Sequence, residues 1–210
     1  MSRFLIVDDH PLVRRGIAQL LNAEYGEGSV IEAGQATEAM DLIRGRSFSL
    51  VILDISLPGR NGLDVLKEIV EIRPGSRVLI LSSFPEDQFA IRVLRSGAAG
   101  YLTKDSAPET LLLAVRQILA AGRFISPSVA DRLASELNRN SAKALHEVLS
   151  DREYDVLLRL AGGATVGGIA DQIHLSVKTV STYRTRILEK MGMSNNSELI
   201  QYALRNRLVE

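Results

Sequence analysis

Asp8, Asp9, Asp54 and Lys104 are the residues whose types and spacing point to chemistry. Each lies at or just beyond the end of a short apolar run: Phe4-Leu-Ile-Val7 before the acidic pair, Leu50-Val-Ile-Leu53 before Asp54, and Tyr101-Leu102 before Lys104. Runs of about four apolar residues rich in Val and Ile read as strands buried on both faces of a parallel sheet. Polar residues at the carboxyl ends of such strands converge in the crevice where open α/β sheets bind ligands. Three carboxylates gathered there repel one another and imply a hard divalent cation, Mg²⁺. A lysine in the same crevice adds a mobile cation suited to a phosphoryl group. The set is suited to phosphorylation of Asp54, whose carboxylate attacks phosphorus to give an acyl phosphate. Asp9 would hold the metal with Asp54 and the backbone carbonyl of Ser56, and Asp8 would act beside them through water. Ser82, closing the run Val78-Leu-Ile-Leu81, can donate one hydrogen bond to a phosphoryl oxygen, and Lys104 a charge-assisted one. Tyr101 lies within reach of the Ser82 loop, although taken alone it reads as a half-buried strand aromatic. A lone aspartate after a strand is commonly a turn or cap residue; polar residues at the ends of four strands of one sheet, Asp9, Asp54, Ser82 and Lys104, are not so easily dismissed. His10 reads as a local cap or pair rather than a ligand, and His146 and His174 as surface residues.

These side chains need a sheet to hold them. Strand-like runs fall near residues 3–7, 29–33, 50–53, 77–81 and 99–102, and amphipathic stretches near 11–23, 36–44, 62–72, 86–95 and 108–121. Five alternating β-α units predict an α/β fold with a doubly wound, five-stranded parallel sheet. After Gly122 no further strand-like run appears. Ser126-Pro127 opens a helical stretch to about Leu137, and the polar patch Asn138-Arg-Asn-Ser141 reads as a linker. From Ser150 onward the chain is helical. Ser150-Asp-Arg-Glu153 is a capping box, Gly162-Gly163 ends that helix, and Thr165 caps the next. His174-Leu175-Ser176 forms a turn; a helix then runs from Val177 to about Met191, Gly192 stops it, and a last helix runs from about Asn195 to Asn206. A short helix, a tight turn and a longer helix among four helices form the helix-turn-helix pattern. The division predicted is 1–122, a linker 123–143 with a helix, and an all-α domain 144–210.

With 25 basic and 25 acidic residues, no global field draws the chain to nucleic acid or membrane. The absence of cysteine excludes disulfides and thiolate metal sites and is compatible with a reducing cytosol. The start, Met1-Ser-Arg-Phe, has no charged-then-apolar signal pattern, and no apolar run approaches membrane-spanning length. A cytoplasmic protein without a membrane partner is expected.

On the helix 177–191, Val177, Val180, Ile187, Leu188 and Met191 fall on one side, while Lys178, Thr182, Thr185 and Arg186 lie opposite with Ser181 at the edge. An apolar core face backed by a small-polar and basic face suits a major groove. Lys178, Arg184, Arg186 and Lys190 against Glu189 leave a local positive excess, whereas the domain from Ala144 balances eight basic with eight acidic residues. Few phosphate contacts and a shallow salt slope per copy are expected, so binding should require dimerisation. Arg184 falls on the inward half and is expected to pair with Glu153 or Asp155.

Asp8-Asp9, Leu53-Asp54-Ile-Ser-Leu-Pro58 with Gly62, Leu81-Ser82-Ser83 and Gly100-Tyr-Leu-Thr-Lys104 resemble the receiver domain of two-component response regulators. Leu149-Ser-Asp-Arg-Glu153, Ile169-Ala170, Leu175-Ser-Val-Lys-Thr-Val180 and Ile187-Leu-Glu-Lys-Met-Gly192 resemble the LuxR-type output domain of the NarL/FixJ class. The resemblance implies a flavodoxin-like receiver whose aspartate, here Asp54, takes a phosphoryl group from a sensor histidine kinase. Residues matching Ser82 and Tyr101 then shift together. In the output domain, positions matching Ser181, Thr182 and Thr185 face bases, and those matching Lys178, Thr179, Tyr183 and Arg186 meet the DNA backbone. The last helix implies a dimer contact through Glu198, Gln201, Tyr202 and Arg205. The function implied is a phosphorylation-controlled transcription regulator, binding two-fold-related sites on double-stranded DNA as a homodimer. It would be no enzyme beyond accepting the phosphoryl group and slowly losing it. Two departures stand out: Asp105 where many receivers carry a cis proline, and Gly167-Gly168 where polar helix formers are usual, which predicts a supporting helix that starts late or is unusually mobile. A haloacid-dehalogenase-like phosphotransferase would require a second carboxylate two residues after the nucleophile, where this chain has Ser56. The remaining alternative is a DNA-binding regulator whose receiver serves only to dimerise, without phosphorylation.

Overall fold

The computed structural model describes residues 3–138, 144–206, 208 and 209. It divides into two compact units, 1–134 and 135–210. In the first, β1 (Phe4–Val7), β2 (Val30–Ala33), β3 (Leu50–Asp54), β4 (Val78–Ser82) and β5 (Gly100–Thr103) alternate with α1 (Pro11–Tyr25), α2 (Ala36–Gly45), α3 (Gly62–Ile72), α4 (Glu86–Arg95) and α5 (Pro108–Ala121). The strands form one all-parallel sheet in the order β2-β1-β3-β4-β5, with Val7 opposite Leu53 and Leu53 opposite Ile80. Every residue of β1, β3 and β4 is buried, as continuous apolar runs in a parallel sheet should be, while the edge strand β2 exposes Glu32.

Alternation along the strands divides the core between two faces. Phe4, Ile6, Leu50, Ile52, Leu79 and Leu81 pack against Ile17 and Leu21 of α1 and Val115 and Ile118 of α5. The doubly wound prediction holds. Helix ends follow local chemistry: Pro11 and Pro108 open α1 and α5, and Asn61 caps α3 by accepting from the Leu63 N–H at 2.8 Å. Gly122 ends α5 in the left-handed region at φ 82°.

Helix α6 (Pro127–Asn138) follows. Of the linker patch Asn138–Ser141, only Asn138 lies within the described residues. The second unit holds a 3₁₀ turn (Leu145–Val148), α7 (Asp151–Ala161), α8 (Val166–Gln172), α9 (Val177–Met191) and α10 (Asn196–Arg205). The capping box is present: the Glu153 N–H donates to Ser150 Oγ at 3.3 Å and the Ser150 N–H to Glu153 Oε2 at 2.7 Å. Ser176 caps α9, and His174 occupies the turn before it at φ 52°. Helix α8 does not start late. Thr165 Oγ1 accepts from the Gly168 N–H at 3.1 Å, which sets the first turn at Val166, ahead of both glycines.

Candidate functional site

Asp8 and Asp54 meet because β1 and β3 are neighbours at the point where the strand order reverses, the crevice in which doubly wound sheets bind ligands. Both carboxylates are almost fully enclosed, at 2 % and 1 % exposure. Ligand atoms of Asp8, Asp9, His10 and Asp54 all lie within 4.8 Å of one another. Lys104, just past β5, reaches into this group: its Nζ is 2.7 Å from Asp8 Oδ2 and 2.8 Å from Asp54 Oδ2. Asp54 Oδ1 accepts from the Ser56 N–H at 3.0 Å. His10 pairs locally, its Nδ1 lying 2.7 Å from Asp9 Oδ1 and 3.1 Å from Asp8 Oδ1. The departure at Asp105 leaves Lys104 in place, and no cis peptide bond occurs among the described residues.

The charges in the crevice are not balanced. Burial pushes the Asp54 carboxyl above its ordinary range; Lys104 pulls it down, Asp8 pushes it up again, and burial prevails. Burial alone would lower the Lys104 ammonium, but Asp54 and Asp8 together raise it. One ammonium is shared by two carboxylates. The carboxylates of Asp8, Asp9 and Asp54, with their surplus negative charge, fit a hard divalent cation such as Mg²⁺.

Gly62 closes the crevice from α3. A Cβ there would lie 2.1 Å from the Asp54 carbonyl oxygen and 2.6 Å from Ile55 Cα, so only glycine lets the helix meet the end of β3. Ser82 and Tyr101 converge on a residue that the sequence did not single out. Ser82 Oγ accepts from the Phe84 N–H at 3.2 Å, and the Tyr101 hydroxyl donates to the Phe84 carbonyl at 2.7 Å. Tyr101 is buried rather than half-buried, because its ring fills the sheet edge while its hydroxyl finds a backbone acceptor. Phe84 is not legible in sequence, since nothing local marks it. Arg14, also missed, donates from Nη1 to the Asp8 carbonyl at 2.6 Å.

In the second unit Val180, Ile187 and Met191 bury one side of α9, while Lys178, Ser181, Thr182, Thr185 and Arg186 are exposed and Thr179 and Tyr183 partly so. Val177 is 55 % exposed and does not belong to the core face; it is the first residue of the helix. Thr182 and Thr185 donate their hydroxyls to the carbonyls of Lys178 and Ser181 at 2.9 and 3.1 Å. That leaves their methyl groups and oxygen lone pairs as the outward surface. Arg184 pairs with neither Glu153 nor Asp155. Its Nε donates to Asn196 at the start of α10, while Lys190 takes Glu153 at 2.6 Å and Arg159 takes Asp155 at 2.7 Å. The rotation of Arg184 was legible, but not which acid the neighbouring helices had already claimed. Two of the four α9 cations are thus used internally, and Lys178 and Arg186 have no ion-pair partner among the described residues.

Of the residues assigned to a dimer contact, Gln201 and Arg205 are exposed. Glu198 accepts from the Ser194 N–H at 2.8 Å, and the Tyr202 hydroxyl lies 2.9 Å from His146 Nδ1. His146 is therefore no plain surface residue: it is half-buried and stacks on Tyr154 with ring centres 5.7 Å apart.

Residues 4–116 match the family described as the response regulator receiver domain, and residues 147–203 match that described as bacterial regulatory proteins, luxR family. The chain is 35 % identical to the response regulator GacA of Pseudomonas aeruginosa over 100 % of its own length and 99 % of that protein's. It is 32 % identical to the response regulator UvrY of Escherichia coli K12, covering 99 % and 96 %. A similar solved structure is RcsB of Salmonella enterica serovar Typhimurium, bound to the promoter rprA in the presence of the phosphomimetic BeF₃⁻. Its TM-score is 0.61 at 25 % identity, covering 96 % of this chain and 97 % of that one. Among the described residues no helix is long and apolar enough to cross a membrane.

Proposed function

The chain belongs to the response regulators that join a receiver domain to a LuxR-type DNA-binding domain, and from that premise we propose that phosphorylation of Asp54 controls its hold on DNA. The observation that carries the reading is the buried trio of Asp8, Asp54 and Lys104, in which an ammonium bridges two carboxylates at 2.7 and 2.8 Å. Asp9, Asp54 and the Ser56 carbonyl would hold Mg²⁺, with Asp8 acting through water; bound there, the ion offsets charge on the phosphoryl oxygens. The donor is the phosphohistidine of a partner sensor kinase. An Asp54 carboxylate oxygen forms the new bond to phosphorus, the phosphorus–nitrogen bond breaks, and the departing imidazole keeps the electron pair and takes up a proton. Lys104 then donates to a phosphoryl oxygen. Ser82 does likewise with its hydroxyl, and in moving toward the phosphate it releases the Phe84 N–H, loosening the residue that Tyr101 holds from the other side.

The receiver, taken as 1–122, passes this change through the linker 123–143 to the output domain 144–210. Ser181, Thr182 and Thr185 face bases in the major groove, and Lys178, Thr179, Tyr183 and Arg186 meet the DNA backbone. Two copies, joined through Glu198, Gln201, Tyr202 and Arg205, occupy a two-fold-related site. The BeF₃⁻ state of RcsB on promoter DNA supports this reading by analogy. The protein is cytoplasmic and turns over no substrate beyond slow loss of its own phosphate. Moving a two-state balance from 1:99 to 99:1 takes about 5.5 kcal/mol, within reach of one phosphoryl group in a low-dielectric crevice.

Light scattering of the full chain with Mg²⁺ and beryllofluoride tests the switch. The wild type is expected to shift from monomer to dimer, and Asp54→Ala to remain unchanged. No shift in either protein would leave a receiver that assembles without phosphorylation. For the DNA face, Arg186→Ala should reduce the slope of log K against log salt by about 1 per copy, while Thr182→Ala should relax sequence preference at unchanged slope. An unaltered slope in Arg186→Ala would remove that residue from the interface.

A further inference from the structure

Arg14 sits in the first turn of α1, directly behind the acidic pair. Its guanidinium reaches in two directions: Nη1 donates to the Asp8 carbonyl oxygen at 2.6 Å, and Nε to Glu32 Oε2 on β2 at 3.2 Å. The side chain is largely covered, at 17 % exposure. The Asp8 carbonyl belongs to the peptide that joins Asp8 to Asp9. Holding that oxygen fixes the plane from which both carboxylates project. The Asp8 N–H is held from β2 by the Ala33 carbonyl at 3.2 Å, and Asp8 Oδ1 accepts from the His10 N–H at 2.8 Å. Arg14 thus completes a frame around Asp8 and ties it to a rigid helix on one side and a strand on the other.

We propose that Arg14 is a positioning residue for the divalent-cation site, setting its affinity by orienting the Asp8-Asp9 peptide without touching the ion. The inference rests on Asp9 and Asp54 being metal ligands. Geometry and charge make opposite demands here. A guanidinium near a cation site repels the cation, so a purely electrostatic Arg14 would weaken metal binding, and its removal would tighten it. A positioning Arg14 does the reverse. Hydrogen-bond partners that orient metal ligands are commonly worth about 10- to 100-fold in affinity.

The test is isothermal titration of the metal-free full chain with Mg²⁺, together with the melting temperature of each metal-free protein. Wild type is expected to bind and Asp9→Asn to lose binding. Arg14→Ala should bind Mg²⁺ about tenfold more weakly. Arg14→Lys keeps the charge but has no planar fork to span the Asp8 carbonyl and Glu32, so it should recover only part of the affinity. Unchanged or tighter binding by Arg14→Ala overturns the proposal, whatever happens to its melting temperature. If Arg14→Ala does not fold, Arg14→Lys decides alone, and wild-type affinity there is equally fatal. Failure of the wild type itself to bind Mg²⁺ instead overturns the assignment of the metal ligands.

Discussion

Replacing Lys104 with methionine is expected to lower the stability of the receiver by about 3 kcal/mol, the scale for removing one partner from a buried charge cluster. Asp8 and Asp54 are enclosed and share this ammonium, so its loss leaves two facing buried carboxylates without the cation that bridges them. A fall in melting temperature on the order of 10 °C should follow. The sign of the pH dependence checks the cause. The Asp54 carboxyl is already raised by burial with Lys104 present, and losing the lysine raises it further. An acid with a raised folded-state pKa stabilises the fold when protonated, and that contribution is lost as pH rises through the folded value. The Lys104→Met protein should therefore gain stability as pH falls from neutral toward the ordinary carboxylate range. Lys104 itself is raised, so its contribution in the wild type is complete below its ordinary range and fades only at more alkaline pH. Adding Asp54→Asn to Lys104→Met should return most of the lost stability. Thermal melts of the wild type, the two single variants and the double variant across pH measure all of this. If Lys104→Met melts with the wild type at every pH, the cluster is not the charged trio described.

Gly62→Ala is expected to be comparably damaging by a different route. The added methyl would stand 2.1 Å from the Asp54 carbonyl oxygen and 2.9 Å from its carbonyl carbon. Both atoms are backbone, so no side chain can swing aside. The helix must back away from the end of β3, breaking the 2.8 Å bond from the Gly62 N–H to the Ile55 carbonyl. Overpacking of this kind costs about 1–3 kcal/mol, and the rigid partner puts this case at the upper end. Because the atoms pressed upon are the backbone of Asp54, a ligand in the proposed metal site, Mg²⁺ affinity should fall with the melting temperature. Gly16→Ala is the matched control. Nothing lies within 4 Å of a Cβ there, and the residue is inside α1, so about 1 kcal/mol should be gained. Denaturant melts of the two variants decide it, and a Gly62→Ala protein as stable as Gly16→Ala would show that α3 is not braced against the end of β3.

What could be read in the sequence was what local spacing encodes. The fully buried strands β1, β3 and β4 announced themselves as unbroken apolar runs, and their carboxyl ends located Asp8, Asp54 and Ser82. The caps at Ser150, Thr165 and Ser176 were equally plain, because a cap and its target lie within three residues. The failures are choices among competing partners. Arg184 had the right rotation on α9, but Lys190 had already claimed Glu153 from 37 residues away. Two glycines argued against an early start to α8, and one hydroxyl from Thr165 overrode them. Arg14 and Phe84 were missed because their contacts run through backbone groups, the Asp8 carbonyl for Arg14 and its own amide and carbonyl for Phe84, which leave no trace in residue type.

Phe84 gives the switch an arithmetic of its own. Ser82 grips its amide and Tyr101 grips its carbonyl, so on the proposed mechanism the two side chains write to one shared register. Neither can change state without altering what the other holds. An inherited substitution at one of them is therefore seldom a private matter, and the two positions should drift through a lineage as a couple.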